Sequence, residues 1–231
     1  MTAAARAALC DAYRDLGRRG LIQGSSGNVS VRQAGDEHGG GMLISPTRMT
    51  PERIEPANLV SMCLDGPEPG ASSEWALHAA LYRSDPAVGA VVHTHADACT
   101  ALACLGEPLP AFHYMVAGFG GDDVRCAPYA TFGTPALAEA AALAMRGRTA
   151  CLLANHGMIA AGPTLDAAVA ATLNLEMLAR QYLLARSAGP PRLLTPEQMA
   201  KARERFRTYY GPLLEGLARQ TNQSATQTSL L

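Results

Sequence analysis

Apolar positions along this chain follow two rhythms, one of helical and one of strand period. From residue 3 to 19, Ala4, Ala8, Leu9, Ala12, Tyr13 and Leu16 recur at helical spacing, and the run stops at Gly17 to Gly20, where Arg18 and Arg19 suit the negative end of a helix. The spacing predicts an amphipathic opening helix. Strand-length runs come next: Val29 to Arg32 after the polar turn Gln23 to Asn28, and Met42 to Ile44 after a glycine-rich stretch, 35 to 41, that reads as a hairpin tip.

Ser72, Ser73 and Glu74 supply N-cap chemistry ahead of Trp75, Leu77, His78, Leu81 and Tyr82, a helix that ends near Asp85-Pro86. The strand Val88 to His93 follows at once. Thr134-Pro135 opens an alanine-rich helix to about Met145, and Thr149 to Ala154 and Met158 to Ala161 read as strands around a turn at His156-Gly157. Thr164 caps a long helix running to about Ala188, with Leu165, Val169, Leu173, Met177 and Leu178 on its apolar face. Pro190-Pro191 breaks that helix and Thr195-Pro196-Glu197 starts another. No internal repeat and no nucleotide-type glycine fingerprint is present. Strands interleaved with helices on one core give an α/β, or layered α+β, domain, and the early hairpin argues against a purely parallel sheet.

Composition narrows the picture. A chain of 231 residues at 48% hydrophobic composition can bury one substantial core, which favours a single domain over 1–215. The segment 216–231, Ser/Thr/Gln-rich from about Gln220, is expected to be a disordered polar tail. Nineteen Lys and Arg against 20 Asp and Glu leave a formal charge of −1, so no global basic field exists to hold nucleic acid or an anionic membrane. Small molecules or protein partners are left. The first residues carry Arg6, Asp11 and Arg14 and no apolar segment of the length a signal peptide or membrane span requires, which reads as a cytoplasmic protein. Six cysteines, scattered without C-x-x-C spacing and mostly in apolar surroundings, read as reduced, buried thiols.

Chemistry enters with Val91-Val92-His93-Thr94-His95 and Leu152-Leu153-Ala154-Asn155-His156-Gly157. Each is an apolar run that delivers imidazoles at its end. Side chains at i and i+2 of a strand share a face, so His93 and His95 can converge on one divalent cation, and His156 would close the tripod from a second strand end. Three histidines with an open fourth position describe a catalytic site. The turns Gly24 to Asn28, Ser45 to Arg48 and Ser72 to Glu74 expose hydroxyls and backbone N–H groups that together can cradle a phosphate, although each taken singly fits an ordinary turn or cap. Glu74 sits either as a general base beside the apolar strand or as a capping-box or first-turn glutamate, and local sequence leaves both open.

Taken together, G-S-S-G-N-V-S-V-R (24–32), M-L-I-S-P-T (42–47), S-S-E-W-A-L-H (72–78), V-V-H-T-H-A (91–96), P-A-F-H-Y-M (110–115), C-A-P-Y-A-T-F-G-T (126–134) and L-A-N-H-G (153–157) resemble the class II aldolase/adducin family, to about Tyr210. The resemblance implies a central mixed, largely antiparallel sheet flanked by helices. It implies a zinc-dependent lyase that reversibly cleaves a ketose 1-phosphate, L-fuculose 1-phosphate-like or a 5-deoxypentulose 1-phosphate, to dihydroxyacetone phosphate and an aldehyde through a metal-stabilised enediolate. On the matching positions His93, His95 and His156 would bind Zn²⁺, with Mn²⁺ or Co²⁺ as substitutes, and Glu74 would be the fourth ligand at rest and the acid/base when substrate displaces it. Ser25, Asn28, Thr47, Ser72 and Ser73, with the N–H of Gly27, would hold the phosphate. Tyr114 and Tyr209 match tyrosines that act across a subunit boundary in a homotetramer.

One departure stands out: after S-P-T the family usually places glycine, whereas this chain has Arg48, which can clash with that backbone path or add a charge-assisted contact to the anion. The only lysine, Lys201, lies in the terminal helix and gives an imine mechanism no plausible nucleophile. Rival activities on the same motifs are a sugar-phosphate 4-epimerase and a phospho-keto-acid decarboxylase. A rival of another class is an adducin-like, non-catalytic interaction domain.

Overall fold

The computed structural model describes residues 2–33 and 40–209. In chain order the elements are α1 (Ala3–Arg18), β1 (Gly27–Gln33), β2 (Gly41–Ile44), β3 (Val60–Cys63), α2 (Trp75–Ser84), β4 (Ala90–Thr94), α3 (Asp97–Ala103), β5 (Cys126–Ala127), α4 (Pro135–Ala144), β6 (Ala150–Leu153), β7 (Gly157–Gly162) and α5 (Leu165–Ala188). A last helical stretch occupies 196–209. The expected hairpin tip falls largely on 34–39, and the expected tail 216–231 falls wholly on 210–231; both lie outside the described residues.

The strands form one seven-stranded sheet in the order β3-β2-β1-β4-β7-β6-β5. Every neighbouring pair is antiparallel except β5 with β6. The mixed, largely antiparallel sheet is therefore present. Strand alternation splits the core into two layers. On one face Val29, Leu43, Val92, Leu152 and Met158 pack with α1, α3 and α5; on the other Met42, Ile44, Val91, Cys151 and Ile159 pack with α2 and α4. Both faces are covered, which is why the central strands read as continuous apolar runs rather than alternating ones.

Three short elements escape the hydrophobic pattern: β3, β5 and the seven-residue α3 are too brief to establish a period. Two helix faces also differ from expectation. In α1 the buried side is Leu9, Cys10, Tyr13 and Leu16, while Ala4 and Ala8 are exposed. In α5 the buried stripe is Ala168, Thr172, Leu175, Glu176, Leu178, Ala179 and Tyr182, and Met177 faces outward. Small Ala and Thr let this helix lie close over β7, so packing distance overrides side-chain hydrophobicity in choosing the face. The cysteines are all free, but only Cys10, Cys99 and Cys151 are buried; Cys63 and Cys104 are exposed. No helix among the described residues is long and apolar enough to cross a membrane.

Candidate metal centre and substrate cavity

The site is assembled where four elements end together. Register places Asn28 of β1 directly opposite His93 of β4, and Thr94 of β4 opposite Met158 of β7. His95 follows β4 at once, and His156 occupies the tight turn between β6 and β7. Gly157 makes that turn possible: a Cβ there would stand 2.5 Å from the Thr94 carbonyl oxygen and 3.1 Å from the His95 ring. Glu74 is brought in from the other face, at the N-cap of α2. It is therefore one residue before the first turn, and its side chain makes no capping bond to the helix. The capping reading of Glu74 gives way to one in which the carboxylate faces the histidines.

One ligand atom from each of Glu74, His93, His95 and His156 lies within 4.8 Å of the others. The imidazole centroids are 4.8 to 4.9 Å apart with interplanar angles of 72 to 73°, a threefold propeller. Glu74 Oε2 is 3.0 Å from His93 Nε2, Glu74 Oε1 is 3.2 Å from His156 Nε2, and the Nε2 atoms of His93 and His95 are 3.1 Å apart. His93 donates its Nδ1 proton to the Met158 carbonyl at 2.8 Å, which fixes the tautomer and turns the Nε2 lone pair inward. Glu74 Oε1 is buried and has no hydrogen-bond donor of good geometry.

Electrostatics tell the same story. Burial would raise the Glu74 carboxyl, but the neighbouring His93 and His156 imidazoles hold it well below the carboxylate range. For His93 burial opposes protonation and Glu74 outweighs it, raising the ring. His95 is pushed down to about 4, first by burial and then by His93 and His156. Converging nitrogen lone pairs around an ionised carboxylate, one of whose oxygens lacks a donor, form a set that a divalent cation satisfies and that no other group among the described residues does. The donor set of three imidazoles and one carboxylate suits zinc, manganese or cobalt.

Beside this cluster opens a cavity of about 610 Å³. Ser25, Gly27, Asn28, Thr47, Ser72 and Ser73 line it, as do Arg48, Glu74, His95 and His156. His93 is fully buried behind them. The hydroxyls of Ser25, Thr47 and Ser73 take no partner among the described residues, whereas Ser72 Oγ accepts the Glu74 N–H. Asn28 is more deeply committed: its amide nitrogen donates to Glu74 Oε2 at 3.1 Å and its carbonyl meets His78 Nε2. Arg48 is the one Lys or Arg on the wall among the described residues, and it adopts a left-handed φ of 55°.

Tyr114 and Tyr209 are not on this wall; both are exposed, Tyr114 stacking on His113 and Tyr209 beneath the Arg205 guanidinium. The aromatic residues that the cavity does use are Tyr129 and Phe132, with Ala130 between them. Sequence reading named neither as a site residue, because a solvent-facing aromatic in a loop carries no period. It also passed over Asn155, whose own φ is 55° and whose N–H reaches the end of α3.

Comparison with known proteins reaches the same region. Residues 7–183 match the model of the Class II Aldolase and Adducin N-terminal domain. A 5-methylthioribulose-1-phosphate/5-deoxyribulose-1-phosphate aldolase of Rhodospirillum rubrum is 47% identical over 209 residues, 89% of this chain and 92% of that one. An L-fuculose phosphate aldolase of Escherichia coli O6:H1 is 43% identical over 205 residues, 87% and 93% of the two chains. Among solved structures, an L-fuculose 1-phosphate aldolase superimposes with a TM-score of 0.82 at 38% identity, covering 90% of this chain and 98% of that one.

Proposed function

The chain belongs to the class II aldolase and adducin family, and on that premise we propose that it is a divalent-metal-dependent aldolase whose substrate is a ketose 1-phosphate. The observation that carries this reading is the convergence of Glu74, His93, His95 and His156 on one point beside a cavity whose wall is rich in hydroxyls. His93, His95 and His156 would hold the metal, zinc by preference, with Glu74 completing the set at rest. Bound there, the cation supplies Lewis-acid stabilisation of the negative charge left on the substrate oxygens when the carbon–carbon bond breaks, typically worth several kcal/mol.

The chain's own residues do the rest. Ser25, Thr47 and Ser73, with the N–H of Gly27 and one remaining amide hydrogen of Asn28, orient the phosphate. Arg48 adds charge to that subsite. Glu74, once released by substrate, would take up a proton from solvent and pass it to the carbon that loses its partner, returning to the carboxylate. Tyr129, Ala130 and Phe132 give the cavity an apolar stretch of wall. That surface fits an aldehyde fragment with a deoxygenated end, as in 5-deoxypentulose 1-phosphates or L-fuculose 1-phosphate. Tyr114 and Tyr209, exposed and off their own cavity, would serve the site of a neighbouring subunit in a homotetramer, where one of them would handle the proton of the leaving aldehyde oxygen.

The test is a panel of L-fuculose, L-rhamnulose, 5-deoxyribulose and 5-methylthioribulose 1-phosphates with detection of dihydroxyacetone phosphate, alongside metal analysis. About one equivalent of metal and turnover of at least one substrate are expected, both lost in His95→Ala. A native protein that carries no metal and cleaves nothing on the panel identifies a non-catalytic interaction domain instead.

A further inference from the structure

Behind Glu74 and Asn28 runs a line of buried polar side chains, His78, Ser30 and Tyr82, that neither metal binding nor phosphate binding uses. Glu74 Oε2 accepts from Asn28 Nδ2 at 3.1 Å, and Asn28 Oδ1 meets His78 Nε2. His78 Nδ1 lies 2.7 Å from Ser30 Oγ, which lies 2.7 Å from Tyr82 Oη. All are buried, with His78 and Ser30 at 0% exposure. Such groups cost stability unless fully paired, so their retention in an otherwise apolar layer calls for a use.

Two periodicities build this line. Glu74, His78 and Tyr82 stand four residues apart along one side of α2, a stride of about 6 Å. Asn28 and Ser30 stand two apart on one face of β1, a stride of about 6.7 Å. A helix laid along a strand therefore brings the rungs into register, and each strand residue falls between two helix residues.

The polarity of every bond is forced from one end. An ionised carboxylate only accepts, so Asn28 must turn its amide nitrogen to Glu74 and its carbonyl to His78. His78 must then carry its proton on Nε2. Its imidazole is neutral, burial and the neighbouring His93 lowering it to about 3, so Nδ1 accepts and Ser30 must donate. Ser30 Oγ is left to accept from the Tyr82 hydroxyl. Reversing any link would set carbonyl oxygen against carboxylate at the other end.

We infer that Tyr82, Ser30 and His78 are positioning residues that, through Asn28, hold the Glu74 carboxylate in one orientation both when it faces the metal and when it is released to move a proton. This rests on the acid/base reading of Glu74 given above. Outer-shell partners of this kind are worth about 10-fold to 100-fold in activity.

The test uses the full-length, metal-loaded protein. In Tyr82→Phe and Ser30→Ala, kcat on the cleaved substrate is expected to fall about tenfold or more, with KM and bound metal within about twofold of wild type. Because both cut one line, the double variant is expected to be no slower than the slower single variant. Unchanged kcat in both, or losses that multiply in the double variant, overturns the inference. A second readout needs neither turnover nor variants: nitrogen-15 spectra of the His78 ring in wild type should show the Nε2–H tautomer, and an Nδ1–H tautomer overturns the relay. A chain that cleaves none of the ketose phosphates ends the aldolase reading, while the tautomer still decides the relay.

Discussion

Arg48 and Asn155 are the non-glycine residues among those described whose backbone turns left-handed, and both line the cavity. For asparagine that conformation is tolerable; for arginine it costs roughly 1 kcal/mol or more. The backbone leading into Arg48 is pinned, since Thr47 N–H bonds the Gly70 carbonyl at 2.9 Å and Pro46 bridges to Ala71. Glycine would fit the same path without strain, so this chain carries strain to put a cation on the cavity wall. Arg48→Gly should leave thermal stability equal or raise it by up to ~1 kcal/mol, glycine's extra unfolded-state entropy offsetting part of the relief. It should also raise KM for phosphorylated substrates about tenfold, with kcat little changed. Equal KM at low salt removes Arg48 from substrate recognition. At Glu74 the loss falls on the other constant: Glu74→Gln should keep the metal and lower kcat by about 100-fold or more. An undiminished kcat with metal bound excludes Glu74 as the proton carrier.

Among the elements, α3 does the most with the least sequence signal. It starts two residues after His95, and its last carbonyl, from Ala103, accepts the N–H of Asn155, the residue before His156. It is thus a strut between the two turns that present those imidazoles. Its N-cap is Ala96, which offers no acceptor; Glu176 of α5 does so instead, taking the N–H groups of Ala98 at 3.0 Å and Cys99 at 2.9 Å. A buried glutamate on an apolar face of α5 contradicts the hydrophobic pattern for this reason. Glu176→Ala should destabilise the fold by about 1 to 3 kcal/mol in chemical denaturation. It should also weaken metal binding, because the His95 turn loses its anchor. Metal affinity equal to wild type despite that destabilisation would show that α3 does not steady the site. The longer elements were legible because 16 residues of α1 or 24 of α5 give a period time to repeat. A helix of seven residues capped from across the fold has its cause outside its own segment.

At the scale of the whole molecule, the candidate metal site ties β4, the β6–β7 turn and the start of α2 together, so removing the cation should loosen the sheet's centre. Chelation should lower the melting temperature by about 10 °C, reversed on adding zinc back. A melting curve indifferent to chelator and zinc would mean that no cation supports this fold. If Tyr114 and Tyr209 serve a neighbour's site, light scattering should give close to four times the 24.2 kDa chain mass. An active monomer would free both tyrosines from that role. Much of this protein was legible in sequence alone: the strand-borne histidines and the hydroxyl-rich turns follow from local spacing and residue type, and the family resemblance adds the largely antiparallel sheet and marks Arg48 as standing where glycine is usual. Local sequence left Glu74 open between capping and the site, and tertiary structure turned it to the imidazoles rather than to α2, as the family resemblance implied. Tertiary structure alone decided that Asn28 is bound to Glu74 and His78, and that Ser30 and Tyr82 stand in line behind them. Those choices depend on which strand lies beside which helix, and contacts between residues some fifty positions apart leave no period in the chain to read.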